Sequence, residues 1–314
     1  MRKGRFLFWL ISFILCAFII TTYKKKENEI PYEERTPINV YCAEEFQKDI
    51  KEVIEESSLG ETNRVVFTES KQNAEFILTD KITKADQGYE KIAWTPLVIA
   101  IDNTTKNKIK SYTEEGYLTE AQDGCYTIHF DRIIDDTIKG EWKDKIFCPK
   151  QDTREGELFF DFLLININGG RYPKNEEEIQ QCTEKANQFL NSTVVIEQDV
   201  KEKLENKKVV ENEIYILFED DIYKLISNST TNYDISYPSN TILYEWYWKF
   251  SGKNSEELKN SMYEAGFLNV YNHIEDIMFY EGKLRMDKHR GCRANRIISD
   301  SDGFSYVDIP IKEE

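Results

Sequence analysis

A continuous apolar run from Leu97 to Ile101 is the feature that most constrains the fold of this chain. The run is too short for a free-standing helix, and three of its five residues are β-branched, which favours an extended backbone. No polar residue alternates with them, so we predict a strand with both faces buried, as in the interior of an α/β protein. Pro96 precedes the run, where a strand tolerates proline, and residues 102–103 predict a turn at its end.

Short apolar segments and amphipathic segments alternate on both sides of this run. Strands are predicted at 38–42, 64–68, 74–78, 145–148, 214–218 and 242–250. Helices are predicted at 43–57, 130–138, 157–168 and 199–205, and from the capping residues Asn175 and Ser255 onward. The helix at 157–168 is apolar nearly all round and is therefore expected to be buried. This alternation predicts an α/β fold with a mainly parallel sheet.

An apolar segment from Phe6 to Thr22 lies near the start, with three basic residues before it and three after it. Such a segment is typical of an export signal or a membrane anchor. No small-residue cleavage site follows it, and the bulky residues before Cys16 do not fit a lipoprotein signal. At about 1.5 Å per residue it would span roughly 26 Å, close to the thickness of a bilayer core. We expect a single uncleaved transmembrane helix within residues 1–26, a linker at 27–37 and an extracellular body; a cleaved signal is the alternative.

The chain is acidic, with 57 Asp and Glu residues against 41 Lys and Arg residues and a formal net charge of −16. Because six of the basic residues flank the apolar segment, the body is more acidic still. Phosphate backbones are bound by clustered Lys and Arg, so this balance argues against a nucleic-acid partner.

The sequence carries no recognisable catalytic or metal-binding motif. Five cysteines follow the anchor segment, and neither a Cys-x-x-Cys pair nor a Cys/His pair at ligand spacing occurs: Cys42, Cys125, Cys148, Cys182 and Cys292. Motifs of serine hydrolases, zinc proteases and nucleotide-binding proteins are also absent. At most two disulfides can form among these five cysteines, and we expect most of the cysteines to be buried thiols. We also expect no enzymatic activity, no metal site and no cofactor.

Six fragments, in order, resemble the type II periplasmic-binding-protein fold of extracellular solute-binding proteins of ABC transporters. They are INVYCAEEF, NAEFILTD, WTPLVIAIDN, the block from Phe130 to Gly156, EIYILFEDD with YPSNT, and GFLNVY. The resemblance implies two α/β lobes joined by two crossing strands, with a solute bound between the lobes. Lobe one would comprise 38–101 and 233–271, lobe two 102–232, and 272–314 would be a C-terminal appendage.

Seven residues are candidates for binding the solute, from this resemblance and from the tendency of ligands to bind beyond the carboxyl ends of parallel strands. They are Glu44, Ser70, Thr95, Thr153, Arg154, Glu219 and Tyr237. We expect Thr95, Thr153, Glu219 and Tyr237 to converge on one site. Four of the candidates also fit structural roles. Glu44 fits the first turn of a helix, Glu219 fits a solvated turn, and Tyr237 fits a packing residue at a turn near the hinge. Arg154 could form an ion pair with Glu155 or Glu157.

The functional prediction is a membrane-anchored solute-binding protein that passes a small ligand to an ABC permease. The alternative is a tethered sensing or protein-interaction module that keeps the fold without transport. Members of the class that bind oxyanions usually carry a Ser/Gly-rich segment where this chain has residues 153–156. Its absence, with the acidic surroundings, favours a neutral or cationic solute such as a sugar, polyol, polyamine or metal complex.

Overall fold

The computed structural model describes residues 30–83, 86–102, 105, 107, 117–120, 126–196, 213–219, 221, 233–265, 296–299 and 305–308. Several predictions from the sequence therefore lie outside the described residues: the anchor Phe6–Thr22, the helix at 199–205, and Cys125 and Cys292.

The described residues contain five α-helices and thirteen strands. The helices are α1 (Glu44–Glu56), α2 (Phe130–Ile138), α3 (Arg154–Ile167), α4 (Glu176–Leu190) and α5 (Ser255–Glu264). The first seven strands are β1 (Thr36–Tyr41), β2 (Asn63–Phe67), β3 (Phe76–Thr79), β4 (Glu90–Asp102), β5 (Leu118–Glu120), β6 (Tyr126–Ile128) and β7 (Ile146–Cys148). The others are β8 (Val194–Val195), β9 (Ile214–Phe218), β10 (Tyr233–Pro238), β11 (Asn240–Phe250), β12 (Arg296–Ser299) and β13 (Ser305–Asp308).

The chain divides into two compact units, each made of two separate stretches of the sequence. The first unit comprises residues up to Leu78 and the segment Lys249–Phe267, and the second Thr79–Trp248 with the residues from Leu268 onward. These units group β4 and most of β11 with the second unit, whereas the sequence assigned them to lobe one. The lobe boundaries at 101 and 232 stay a prediction.

The first unit is a parallel sheet covered by helices. Strand β1 lies between β2 and β3 and runs parallel to both. Helix α1 buries Ile50 and Ile54, and the segment after β11 closes the unit, since the Ser251 hydroxyl donates to the Ala74 carbonyl at 2.9 Å. Strand β1 begins at Thr36, two residues earlier than predicted.

Strand β4 is the centre of the second unit, as the apolar run predicts. Its first half pairs with β11, and its second half with β9 and β10, all antiparallel. All residues from Leu97 to Ile101 are at most 3% exposed. Leu97, Ile99 and Ile101 belong to one core cluster, and Val98 and Ala100 to another. Because side chains alternate along a strand, these clusters lie on the two faces of the sheet, which confirms burial on both.

The sheet of the second unit is mixed, and the α/β class is confirmed. Strands β7, β8 and β9 are parallel, β6 and β10 are parallel, and β5 is antiparallel to β6. Strand β12 pairs in parallel with the start of β11, and β13 pairs with β12. The prediction of mainly parallel strands thus holds for the first unit only. It failed here because the central strand β4 is antiparallel to each of its partners β9, β10 and β11.

Helix α3 is buried, as its apolar composition predicts. Its buried residues are Gly156, Leu158, Phe159, Phe162, Leu163, Leu164, Ile165 and Asn166, and most of them belong to the larger core cluster. It begins at Arg154, three residues earlier than predicted, because the Thr153 hydroxyl accepts a hydrogen bond from the Gly156 amide at 3.1 Å. Among the described helices, none is both long and apolar enough to cross a membrane.

Candidate functional site

Four strands of the second unit end at the same edge of its sheet. Strands β9 and β10 are both antiparallel to β4, β7 is parallel to β9, and β6 is parallel to β10. The carboxyl ends of β6, β7, β9 and β10 therefore point the same way. Helices α2 and α3 start just after β6 and β7, so that their amino ends follow this edge. Edges of this kind are where α/β proteins bind ligands.

An acidic and aromatic group lies on one face of the sheet, and we call Asp80, Phe218, Tyr244 and Trp246 the Tyr244 cluster. The Tyr244 hydroxyl donates to the Asp80 carboxylate at 2.8 Å. Its ring stacks on Trp246 with centroids 5.5 Å apart and meets Phe218 edge-on at 5.4 Å. Phe218 and Trp246 are buried, whereas Asp80 and Tyr244 are partly exposed. The Asp80 carboxylate and the Tyr244 ring are therefore partly accessible to solvent, and the ring packs against Trp246 and Phe218.

An ion-pair group joins the loop after β3 to the start of α3, and we call Lys81, Arg154 and Glu157 the Glu157 cluster. One carboxylate oxygen, Glu157 Oε2, accepts from Lys81 Nζ at 3.2 Å and from an Arg154 guanidinium nitrogen at 3.1 Å. These two cations hold the pKa of the Glu157 carboxyl below its usual value. The two clusters adjoin, since Asp80 and Lys81 are consecutive. From the sequence, Arg154 could either bind the solute or form an ion pair with Glu155 or Glu157. The structure shows the ion pair with Glu157.

The Thr153 loop is fixed in shape before α3 begins. The Thr153 hydroxyl donates to the Lys150 carbonyl at 2.7 Å while it caps the helix. A Cβ atom on Gly156 would lie 2.0 Å from the Lys150 carbonyl oxygen, so only glycine allows the loop to pack this closely on the helix. Thr153 therefore acts on the backbone, and it positions the first turn that carries Arg154 and Glu157.

Glu219 and Tyr237, two of the candidate residues, are brought together at the ends of β9 and β10. The Tyr237 hydroxyl donates to the Glu219 carboxylate, and both side chains are buried. Glu219 is therefore not the solvated turn that the sequence allowed. Tyr237 belongs to the smaller core cluster with Val98, whereas Tyr244 packs against the larger one. This pair and the Tyr244 cluster thus lie on opposite faces of the sheet.

The remaining candidates are spread over both units. Thr95 is buried and is the register partner of Tyr244, so the two side chains share a face. Glu44 is exposed at the first position of α1, which fits the helical alternative. The hydroxyl of exposed Ser70 accepts from the Gln72 amide at 3.3 Å in a local turn. Of the four residues that were expected to converge on one site, Glu219 and Tyr237 contact each other. Thr95 lies on the opposite face of the sheet, together with the Tyr244 cluster.

Asp80, Lys81 and Tyr244 were not proposed from the sequence, and Glu157 was proposed only as an ion-pair partner of Arg154. Asp80 directly follows a strand of the parallel sheet, so the strand-end rule could have found it. Tyr244 stands in the alternating apolar pattern of β11, which indicates a core residue and hides its hydroxyl. Lys81 has no distinguishing sequence signal, because its role depends on a partner 76 positions away.

The cysteines that the structure describes behave as buried thiols. Cys148 and Cys182 are buried and Cys42 is partly so, and none of the three forms a disulfide. Burial raises the pKa of the Cys42 and Cys148 thiols to about 11, which keeps them protonated and unreactive at neutral pH. Within the described ranges, no group of three or more His, Cys, Asp or Glu side chains is placed to hold a metal ion.

Comparisons with known proteins find similarity of fold to solved structures. No family model and no curated protein matches the chain. Among solved structures, the PotD spermidine/putrescine substrate-binding protein of Streptococcus pneumoniae is 12% identical, with a TM-score of 0.43 over 72% of this chain and 77% of that one. The sulfate-binding protein SubI of Mycobacterium tuberculosis is 11% identical, with a TM-score of 0.42 over 74% and 83% of the two chains.

A third structure, the periplasmic binding protein AfuA of Actinobacillus pleuropneumoniae with bound fructose-6-phosphate, is 10% identical, with a TM-score of 0.40 over 74% and 78% of the chains. All three matches lie at 12% identity or less. Their ligands differ from one another, and the likeness is distant. We therefore base the ligand and the role of this chain on its own residues.

Proposed function

We propose that this chain is a membrane-anchored extracellular solute-binding protein that captures a small neutral or cationic solute for an ABC permease. The observation that carries the proposal is the Tyr244 cluster, a partly exposed carboxylate beside an aromatic ring at the edge where β9 and β10 end. Aromatic faces bind sugar rings and cations, and a carboxylate binds hydroxyl or ammonium donors. Thr95, on the same face, lies close enough in register to support the ring.

The charges around this edge support a neutral or cationic solute. The Asp80 carboxylate accepts from a neutral phenol, which leaves its negative charge in place. Lys81, which directly follows Asp80, contacts Glu157, and so does Arg154. An anion would therefore meet a carboxylate here, whereas an ammonium group would be attracted.

A thermal-shift screen of the detergent-solubilised full chain tests the proposal with spermidine, a sugar mixture and sulfate. A solute that binds only the folded state stabilises it by RT ln(1 + [L]/Kd), about 2.7 kcal/mol at a hundredfold excess over Kd. We expect stabilisation by spermidine or a sugar, and loss of most of it in Asp80→Asn and Tyr244→Phe. The control is Asp49→Asn, which removes the same charge from the exposed surface of α1.

Two results would contradict the proposal. Stabilisation by sulfate or phosphate that is abolished by Arg154→Ala would refute the charge argument. No shift with any solute, together with specific binding of a protein partner, would favour the tethered sensing or interaction module instead.

A further inference from the structure

The Glu157 cluster has the composition of an anion site that is filled by a side chain of the protein itself. Lys81 and Arg154 both donate to the same oxygen of Glu157, as they would to an oxygen of sulfate or phosphate. The carboxylate lies in the first turn of the fourteen-residue helix α3, where the helix dipole and unpaired amide groups favour negative charge. We propose that Glu157 is a built-in competitor, a specificity-determining residue that keeps inorganic oxyanions out of this position.

The exposure of the three side chains is what allows competition. Lys81 and Glu157 are 62% and 52% exposed, so that solvent and small ions reach the pair. The Arg154 side chain is only 15% exposed, which fixes its guanidinium group at the start of the helix. An oxyanion that entered would have to displace the Glu157 carboxylate from both cations. Exposed ion pairs are individually weak, so the exclusion is a matter of affinity and not of steric closure.

The chain offers a matched control in the same helical turn. Glu155 is also an acidic residue of the first turn of α3, and its removal changes the net charge and the helix-end electrostatics in the same way as removal of Glu157. The ion pairs to Lys81 and Arg154 are made by Glu157. A comparison of the two substitutions therefore separates the loss of these two ion pairs from a general charge effect.

The test is titration of the full chain with sodium sulfate at constant ionic strength, by calorimetry or thermal shift. We expect Glu157→Gln to bind sulfate about three- to tenfold more tightly than wild type, the range that loss of two exposed ion pairs allows. Glu155→Gln should stay within about twofold of wild type. Adding Lys81→Gln to Glu157→Gln should remove the gain. Because Glu157 is half exposed, its substitution leaves the core intact, and circular dichroism would verify this.

Other outcomes would overturn the inference. Equal gains for Glu157→Gln and Glu155→Gln would show a general charge effect, and no gain would show that Glu157 does not compete. A gain that survives Lys81→Gln would show that the two cations do not act together. The inference rests on the proposed function only for the location of the site. Binding of spermidine or a sugar by the wild-type chain tests the proposed function. Binding of sulfate by Glu157→Gln tests the role of Glu157, so either hypothesis can fail without the other.

Discussion

Glu178 shows how strongly the hydrogen-bond partners of a partly exposed carboxylate can change its pKa. It accepts from the Lys174 amide at 3.0 Å and from two Arg171 nitrogens at 3.0 and 3.2 Å. Together with Asn168, these donors lower the pKa of the Glu178 carboxyl from 4.5 to about 2. The Glu178 amide in turn donates to the Asn175 side chain, which caps α4 as the sequence predicts.

This shift makes a prediction for acid stability. A carboxyl with a lowered pKa in the folded state stabilises the fold above its unfolded pKa, and the contribution is lost as pH falls from about 4.5 to about 2. Glu178→Gln should therefore unfold more easily at pH 7 and should lose less stability over that interval. Urea midpoints measured from pH 7 to pH 2 would show this. Glu176→Gln, in the same turn, is the control, and an identical pH profile for both variants would contradict the assignment.

At the scale of elements, α3 depends on the close approach of its first turn to the preceding loop. A methyl group on Gly156 would meet backbone atoms of residues 150 and 151, which move less readily than a side chain. We expect Gly156→Ala to destabilise the protein by about 1–3 kcal/mol, the usual cost of overpacking. Chemical unfolding would measure it against Glu155→Ala, which adds no atom near the loop. A loss of only a few tenths of a kcal/mol in the free energy of unfolding would show that the loop can move to accommodate the methyl group.

The five described helices and seven of the thirteen described strands were predictable from local pattern, whereas β5, β6, β8, β10, β12 and β13 were not predicted. Strand β4 followed from five apolar residues, and the end of α2 followed from Gly140, whose φ of 101° few other residues adopt. The carboxylate and phenol of the candidate site were not predictable as a pair. Asp80 and Tyr244 are 164 positions apart, and their contact depends on the register of β11 against β4. That register includes a bulge between Trp246 and Tyr247, which no periodicity reveals.

At the scale of the whole molecule, the prediction that remains to be tested is the membrane anchor. We expect the full chain in the membrane fraction of cells, because the segment Phe6–Thr22 is almost wholly apolar. An arginine at its centre costs about 2.5–3.5 kcal/mol for insertion, so Leu15→Arg should move the protein towards the soluble fraction, whereas Leu15→Ile should not. Cell fractionation with N-terminal sequencing would measure both. A mature protein that starts near residues 24–30, or a lipid on Cys16, would contradict an uncleaved anchor.

The discontinuous first unit has a consequence for the order in which the protein is made. Its parallel strands leave the ribosome first, but the segment from Lys249 onward that closes it follows only after Thr79–Trp248 has been synthesised. At 5–20 residues per second, this interval is on the order of ten to thirty seconds. The second unit has most of its chain in one stretch and can begin to fold in that time. The earliest-made part of the body is therefore among the last to acquire its native packing.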